Sequence, residues 1–186
     1  MACAGLVFAL VANQLSPLGL ELARDYFPGA ARPLTGSGGT GAVATAAQRL
    51  EARIRLQGLQ LLASDEIHRL FEDPRYAQEL IVFVDAREKA QYVAGHIPGA
   101  ILFDQNRAPD YLPAVLPACM RAEQVVVYCL GGECEDSEFA AIQLRDAGIP
   151  GERLWVFGGG INEWIAHGWP VEVGERKGGL KGRQGE

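Results

Sequence analysis

Short runs of consecutive apolar residues alternate with helix-like stretches along residues 57–174, and this alternation predicts the fold. The runs are LQLL, LIVFV, IL, VVVYC and LWVF, at residues 59–62, 80–84, 101–102, 125–129 and 154–157. Continuous apolar runs are typical of parallel strands that are covered on both faces. The pattern therefore predicts a three-layer α/β fold, in which a mostly parallel sheet of about five strands lies between two layers of helices.

The segments between these runs have the spacing of helices. Apolar residues recur every three or four positions in residues 64–72 and 139–147, and the second stretch ends before a glycine, a common helix terminator. The stretch 110–120 is predicted to be only weakly helical, because Pro113 and Pro117 interrupt it.

The N-terminal part of the chain has a different pattern. Residues 1–27 begin with the apolar stretch MACAGLVFALVANQL, which is shorter than the about 20 residues of a membrane-spanning helix. Three interpretations stand: a membrane anchor, an amphipathic segment in the membrane interface, and a helix docked on the domain or on a partner. We expect membrane association through residues 1–20, with a cytoplasmic protein as the alternative.

The remaining boundaries follow from composition. Residues 28–56 are interpreted as a linker rich in Gly, Pro, Ser and Thr that leads into a solvated helix, AAQRLEARIRL. Residues 57–174 form the predicted folded domain, and the glycine-rich residues 175–186 form a flexible tail.

Charge and cysteine content exclude several functions. The net charge of −6 argues against nucleic-acid binding, which depends on basic patches. The four cysteines are too few for a disulfide scaffold, and no further Cys or His lies at zinc-ligand spacing from the pair Cys129 and Cys134. We therefore expect no metal and no cofactor.

The stretch VVVYCLGGECEDSEFAA, at residues 125–141, contains the candidate chemistry. Cys129 follows a predicted buried strand and precedes a glycine-containing loop and a helix. Backbone N–H groups of such a loop, together with the positive end of a helix, favour the thiolate, which is the reactive form of cysteine. Cys129 is therefore the predicted nucleophile.

Three longer segments identify a family. The motifs LIVFVDAREKAQYVAGHIPGAILF, VVVYCLGGECEDSEFAAIQLRDAG and LWVFGGGINEWIAHGWPVE together resemble a single rhodanese-like domain of the sulfurtransferase superfamily. The resemblance covers residues 59–173, with the apolar N-terminal segment as an extension.

The resemblance implies a sulfurtransferase. Cys129 would take sulfane sulfur from thiosulfate or another small donor as a persulfide, and would pass it to a thiol acceptor, another nucleophile or a protein thiol. Asp85 and Arg87 would support the loop after their strand, and the glycines at 158–160 would permit close approach of the backbone beside the site. The loop that holds the donor and the persulfide would be Leu130, Gly131, Gly132, Glu133, Cys134, Glu135 and Asp136.

This loop departs from the family pattern. It is longer than in many members, contains no Arg or Lys and is acidic, so it disfavours a thiosulfate dianion relative to a neutral donor or a protein persulfide. The missing arginine argues against the phosphatases that share the fold. Cys134 is either a resolving thiol, able to form a disulfide with Cys129, or a small packing residue. The alternative function is a non-catalytic or redox-sensing module that binds a protein partner through the acidic loop.

Overall fold

The computed structural model describes residues 45–132 and 135–176, which contain five strands and seven α-helices. The predicted apolar segment, the linker, Glu133, Cys134 and residues 177–186 lie outside the described residues. The strands are β1 (Gln60–Leu62), β2 (Ile81–Asp85), β3 (Ile101–Leu102), β4 (Gln124–Tyr128) and β5 (Leu154–Phe157). The helices are α1 (Ala46–Leu56), α2 (Ser64–Glu72), α3 (Pro74–Ala77), α4 (Lys89–Ala94), α5 (Ala108–Arg121), α6 (Asp136–Asp146) and α7 (Gly160–Ala166).

The five strands form one parallel sheet in the order β1-β5-β4-β2-β3. The central strand β4 ends beside both of its neighbours, because Tyr128 is in register with Asp85 of β2 and with Phe157 of β5. This arrangement confirms the predicted α/β fold with a parallel five-stranded sheet.

Alternate residues of β4 pack into two different apolar layers, as expected for a strand that is covered on both faces. Val125 and Val127 belong to a core cluster with residues of α5 and α6, such as Cys119 and Leu144. Val126 and Tyr128 belong to a second cluster with Ile67 of α2 and Trp164 of α7. Cys129 continues the first series and belongs to the layer of α5 and α6.

Helix α1 has the predicted bounds, but it is not a solvated helix. Ile54 is completely buried in the core, and Leu50 packs against the same cluster, whereas Leu56 is 86% exposed. Leu50 and Ile54 are four residues apart and share one face, so the helix buries a narrow stripe although five of its eleven residues are polar. Thr45 and Gln48 form a capping box that begins the helix.

Helix α5 corrects the prediction of a weak, interrupted helix. It is continuous over 14 residues and contains Pro113 and Pro117. Both prolines are exposed, and the buried residues Val115 and Cys119 lie on the opposite side. The carbonyl groups that lose a helical partner to proline therefore lie on the solvent side, where water can bind them, while the buried face holds the helix on the sheet.

The end of the domain packs back on earlier elements. His96 and Glu172 exchange two backbone hydrogen bonds of 2.9 Å. Glu175 forms an ion pair of 2.8 Å with Lys89, and Arg176 forms one of 3.1 Å with Glu79. The first two residues of the predicted tail are thus in contact with the domain.

None of the helices in the described part of the chain has the length and apolar content needed to cross a bilayer.

Candidate active site

Cys129 lies where three neighbouring strands end, and its thiol is enclosed. It follows Tyr128, the last residue of β4, whose register partners Asp85 and Phe157 end β2 and β5. Cys129 is only 1% exposed, and its Sγ lies 3.4 Å from the hydroxyl oxygen of Ser137 in the first turn of α6. This places a thiol at the carboxyl edge of a parallel sheet, where α/β folds have their sites. Ser137 was not among the predicted site residues.

Backbone hydrogen bonds join the loop after Cys129 to the segment 158–162. The N–H of Gly132 donates to the carbonyl of Gly158 and is not available to a ligand in this conformation. In this it differs from the expectation that residues 130–136 hold the donor and the persulfide. The N–H groups of Ser137 and Glu138, in the first turn of α6, have no acceptor within the helix and are the better candidates for binding an anion. The bonds are Ile161 N–H to Cys129 O (2.9 Å), Asn162 N–H to Leu130 O (3.2 Å) and Gly132 N–H to Gly158 O (3.1 Å).

Two glycines make this close approach possible. Gly131 and Gly160 have φ values of +97° and +58°, in the region that disfavours side chains. A Cβ atom on Gly160 would lie 2.5 Å from the carbonyl oxygen of Cys129, and a Cβ atom on Gly131 would overlap the carbonyl oxygen of Gly159. The expectation that the glycine turn at 158–160 permits close backbone approach is confirmed.

Asp85 and Arg87 form a buried ion pair beside the site. The Nε and Nη2 atoms of Arg87 lie 2.9 and 2.6 Å from the two carboxylate oxygens of Asp85. Arg87 is 5% exposed and Asp85 is 0% exposed. Arg87 Nη2 also donates to the carbonyl of Gly95 at 2.8 Å, and Ile97 N–H donates to the Tyr128 hydroxyl at 3.1 Å. These contacts stabilise the turn after α4.

Burial and charge determine the protonation states of Arg87 and Tyr128. Burial alone lowers the pKa of Arg87, but the hydrogen bond and the negative charge of Asp85 outweigh it, so the pKa is raised. Burial is the main cause that raises the pKa of Tyr128 well above its ordinary value. Arg87 is therefore charged and Tyr128 is neutral at ordinary pH.

A family model described as Rhodanese-like domain matches residues 63–167, more than half of the chain. The chain belongs to the rhodanese-like domain family. The matched region contains β2 to β5, Cys129, the Asp85–Arg87 pair and the glycine turn, and it confirms the family that the motifs indicated.

The rhodanese-like domain is also similar to individual proteins. The HTH-type transcriptional regulator Rv0324 of Mycobacterium tuberculosis is 35% identical over 94 residues, which are 50% of this chain and 38% of that protein. The chain thus spans about two fifths of the length of this curated relative.

The chain is also similar to solved structures. Thiosulfate sulfurtransferase from Pseudomonas aeruginosa is 24% identical, with a TM-score of 0.49, over 68% of this chain and 22% of that one. The Alr3790 protein from Anabaena sp. is 28% identical, with a TM-score of 0.41, over 51% of this chain and 79% of that one.

The acidic start of α6 in this rhodanese-like domain contacts a basic residue that sequence reasoning missed. Arg53 of α1 places Nη1 2.6 Å from a carboxylate oxygen of Glu135, and its Nε and Nη2 lie 3.0 and 2.8 Å from Glu138. These residues are 82 and 85 positions apart, so no local pattern links them. Only the packing of α1 on the sheet brings Arg53 to the site.

Asp136, another residue of the predicted loop, contacts Gln105, which in turn contacts Gln143. Gln105 donates from Nε2 to the carboxylate of Asp136 at 3.1 Å, and Gln143 donates to the carbonyl of Gln105 at 3.2 Å. Glu133 and Cys134 lie outside the described residues, so the resolving role of Cys134 stays a prediction. Across residues 45–132 and 135–176, no group of three or more His, Cys, Asp or Glu is arranged to hold a metal ion.

Proposed function

We propose that the protein is a sulfurtransferase in which Cys129 carries sulfane sulfur as a persulfide. The observation that carries this proposal is the position of Cys129 in a rhodanese-like domain, at the end of the central strand and 3.4 Å from Ser137 in the first turn of α6. The N–H groups of Ser137 and Glu138 and the Ser137 hydroxyl are suited to binding the negative charge of a persulfide.

The reaction has two balanced steps. The Cys129 thiolate attacks the sulfane sulfur of the donor, a new S–S bond forms, and the donor's S–S bond breaks with its electron pair on the leaving group, which is sulfite when thiosulfate is the donor. With an organic trisulfide the central sulfur is attacked and one organic thiolate leaves. A second thiolate then removes the remaining organic sulfur group as a disulfide, and the electron pair of that bond stays on the persulfide of Cys129. An acceptor thiolate then attacks the outer sulfur of the persulfide, and the Cys129 thiolate leaves. The acceptor is a small thiol, another nucleophile or a protein thiol.

A transfer assay with the full chain tests the proposal. Thiosulfate and a neutral organic trisulfide serve as donors, and a thiol or cyanide serves as acceptor. A thiol is present in every reaction with the trisulfide, because it removes the organic sulfur group and leaves the persulfide on Cys129. We expect turnover and a mass gain of one sulfur atom on Cys129, and both should disappear in Cys129→Ser. Cys119→Ser is the matched control, because Cys119 is buried in α5, and it should retain transfer. Absence of turnover and of the mass gain with every donor would refute the proposal.

A second function, a redox-sensing module that binds a protein partner, is favoured by one observation. Cys129 is 1% exposed, so its thiol is shielded from a sulfur donor in this conformation. The curated relative is named as a transcriptional regulator, and a sensing role is compatible with that name. A disulfide between Cys129 and Cys134 would form by loss of two electrons and two protons to an oxidant such as a peroxide.

Mass spectrometry of freshly isolated protein separates the two functions. A persulfide on Cys129 supports sulfur transfer, and a disulfide formed on treatment with hydrogen peroxide supports sensing. The variant Cys134→Ser should lose that disulfide and retain the persulfide. If its transfer kinetics and its disulfide content both equal those of the unsubstituted protein, Cys134 is not a resolving thiol.

We also propose that residues 1–20 attach the protein to a membrane. Fractionation of cells that express the full chain or a chain lacking these residues tests this, since only the full chain should sediment with membranes. A full chain that is entirely in the soluble fraction would refute membrane attachment.

A further inference from the structure

The start of α6 has an unusual charge balance. The segment CLGGECEDSE, residues 129–138, contains four acidic residues and no Lys or Arg. Glu135 lies two residues before Ser137 and Glu138 directly after it, and the Ser137 hydroxyl lies 3.4 Å from the Cys129 thiol. Unopposed, these carboxylates would repel an anion that approaches the thiol.

Arg53 opposes this charge from outside the loop. Its guanidinium makes three contacts of 2.6 to 3.0 Å with Glu135 and Glu138. The Glu138 side chain is 11% exposed and the Arg53 side chain is 42% exposed, so water screens their interaction only in part. The guanidinium therefore has a defined position next to the first turn of α6.

The position of Arg53 is maintained by the packing of α1. Ile54, the next residue, is completely buried, and Leu50 lies so close to the glycine turn that it would contact a Cβ atom on Gly158 at 2.7 Å. Helix α1 lies before residues 63–167, the region that matches the family model. Arg53 therefore lies outside the matched region but contacts the site.

We propose that Arg53 determines which charge class of sulfur donor reaches Cys129. By offsetting the negative charge of Glu135 and Glu138, it permits an anionic donor to approach a loop that contains no Lys or Arg. This inference rests on the proposed sulfur transfer, but its electrostatic part concerns the thiol alone and can be measured without transfer.

The first test compares two alkylating reagents of similar size at Cys129. Iodoacetate is an anion and iodoacetamide is neutral, and both react with the same thiolate, so the ratio of their rates is independent of the thiolate fraction. Modification of Cys129 is followed by tandem mass spectrometry, which separates it from the other cysteines. The ratio reports the electrostatic potential beside the thiol.

In Arg53→Ala we expect the ratio of the iodoacetate rate to the iodoacetamide rate to fall by about threefold to tenfold, as expected for loss of one partly screened charge near the thiol. Arg53→Lys, which keeps the charge, should restore the ratio. The matched control is Arg55→Ala on the same helix, because Arg55 pairs at 2.7 Å with Glu51 instead, and its ratio should be unchanged. Glu135→Gln should raise the ratio.

An unchanged ratio in Arg53→Ala, an equal fall in Arg55→Ala, or no modification of Cys129 by either reagent in the unsubstituted protein would overturn the inference. If Arg53→Ala fails to fold, Glu135→Gln decides, and an unchanged ratio there overturns it as well.

The second test applies the same variants to sulfur transfer. The value of kcat/KM for thiosulfate relative to that for a neutral trisulfide should fall in Arg53→Ala by a factor similar to the alkylation ratio. If no variant and no donor gives transfer, the proposed function fails and the alkylation ratio still decides the role of Arg53. If transfer occurs and the donor preference does not change in Arg53→Ala, the inference fails and the proposed function stands.

Discussion

At the scale of single residues, the position of Cys129 depends on a turn that follows a different strand. The carbonyl of Cys129 accepts the N–H of Ile161 at 2.9 Å, which is possible only because Gly160 has no side chain. The thiol contacts Ser137 from a third element. A change at a glycine distant in sequence should therefore affect the reactive cysteine directly.

Gly160→Ala tests this dependence. The new methyl group would lie 2.5 Å from the carbonyl oxygen of Cys129, on a residue with φ of +58°. The left-handed conformation costs roughly 1–2 kcal/mol and the overlap about 1–3 kcal/mol more, so we expect urea denaturation to show a loss of about 3 kcal/mol. Any sulfur transfer should fall with it.

Gly168→Ala is the matched control for this prediction. Gly168 has a similar φ of +73°, but a Cβ atom there would have no atom within 4 Å. Its substitution should cost only the roughly 1–2 kcal/mol of the backbone conformation. Equal losses for the two variants would show that the close approach beside Cys129 has no energetic importance.

At the scale of secondary-structure elements, α1 is part of the domain although the matched family region begins at residue 63. Its bounds were predictable, because AAQRLEARIRL is rich in good helix formers and follows the cap residue Thr45. Its contacts were not predictable, because the sequence does not tell which of its large apolar residues are buried: Leu50 and Ile54 pack on the core and Leu56 is exposed.

Ile54→Ala tests whether α1 is structural. Ile54 is completely buried, so its truncation should lower the free energy of unfolding by about 2–5 kcal/mol. Leu56→Ala removes a similar side chain that is 86% exposed and should change stability by less than about 0.5 kcal/mol. Urea denaturation measures both, and equal effects would contradict the packing of α1 on the sheet.

At the scale of the whole molecule, three buried side chains that ionise only in alkali lie in different elements: Cys119 in α5, Tyr128 in β4 and Tyr92 in α4. Burial raises the pKa of Cys119 to about 12 from its ordinary 9.0. Burial is also the main cause that raises the pKa values of Tyr92 and Tyr128. All three groups stay protonated in the folded protein at a pH at which they ionise in the unfolded chain.

Stability should therefore fall in alkali. Above about pH 9 for the thiol and about pH 10 for the two tyrosines, the unfolded chain binds fewer protons than the folded protein. The free energy of unfolding therefore decreases there by about 1.4 kcal/mol per pH unit for each such group. The contribution of Cys119 is fully present below pH 9 and is lost as pH rises toward 12. Urea denaturation from pH 8 to 11 measures the decrease.

Cys119→Ala provides the comparison for this prediction. The substitution lowers stability at every pH because it removes buried atoms, but it should make the decrease between pH 9 and 10 shallower by about 1 kcal/mol. If the slopes of the variant and of the unsubstituted protein are identical, the Cys119 thiol does not contribute to alkaline unfolding.

The sequence by itself determined the sheet and the position of the candidate nucleophile. Continuous apolar runs such as those of β2 and β4 predict buried parallel strands, and the end of a strand predicts where Cys129 lies, since both signals are local along the chain. The family motifs are local in the same way.

Only the tertiary structure decided what surrounds Cys129. It placed Arg53 against Glu135 and Glu138, used the N–H of Gly132 for a bond to Gly158, and brought Ser137 to the thiol. Arg53 and the Gly132–Gly158 bond depend on how separate elements pack, and the Ser137 contact depends on the path of the loop between β4 and α6. Each is settled by distances of a few ångströms, which no pattern of neighbouring residues specifies.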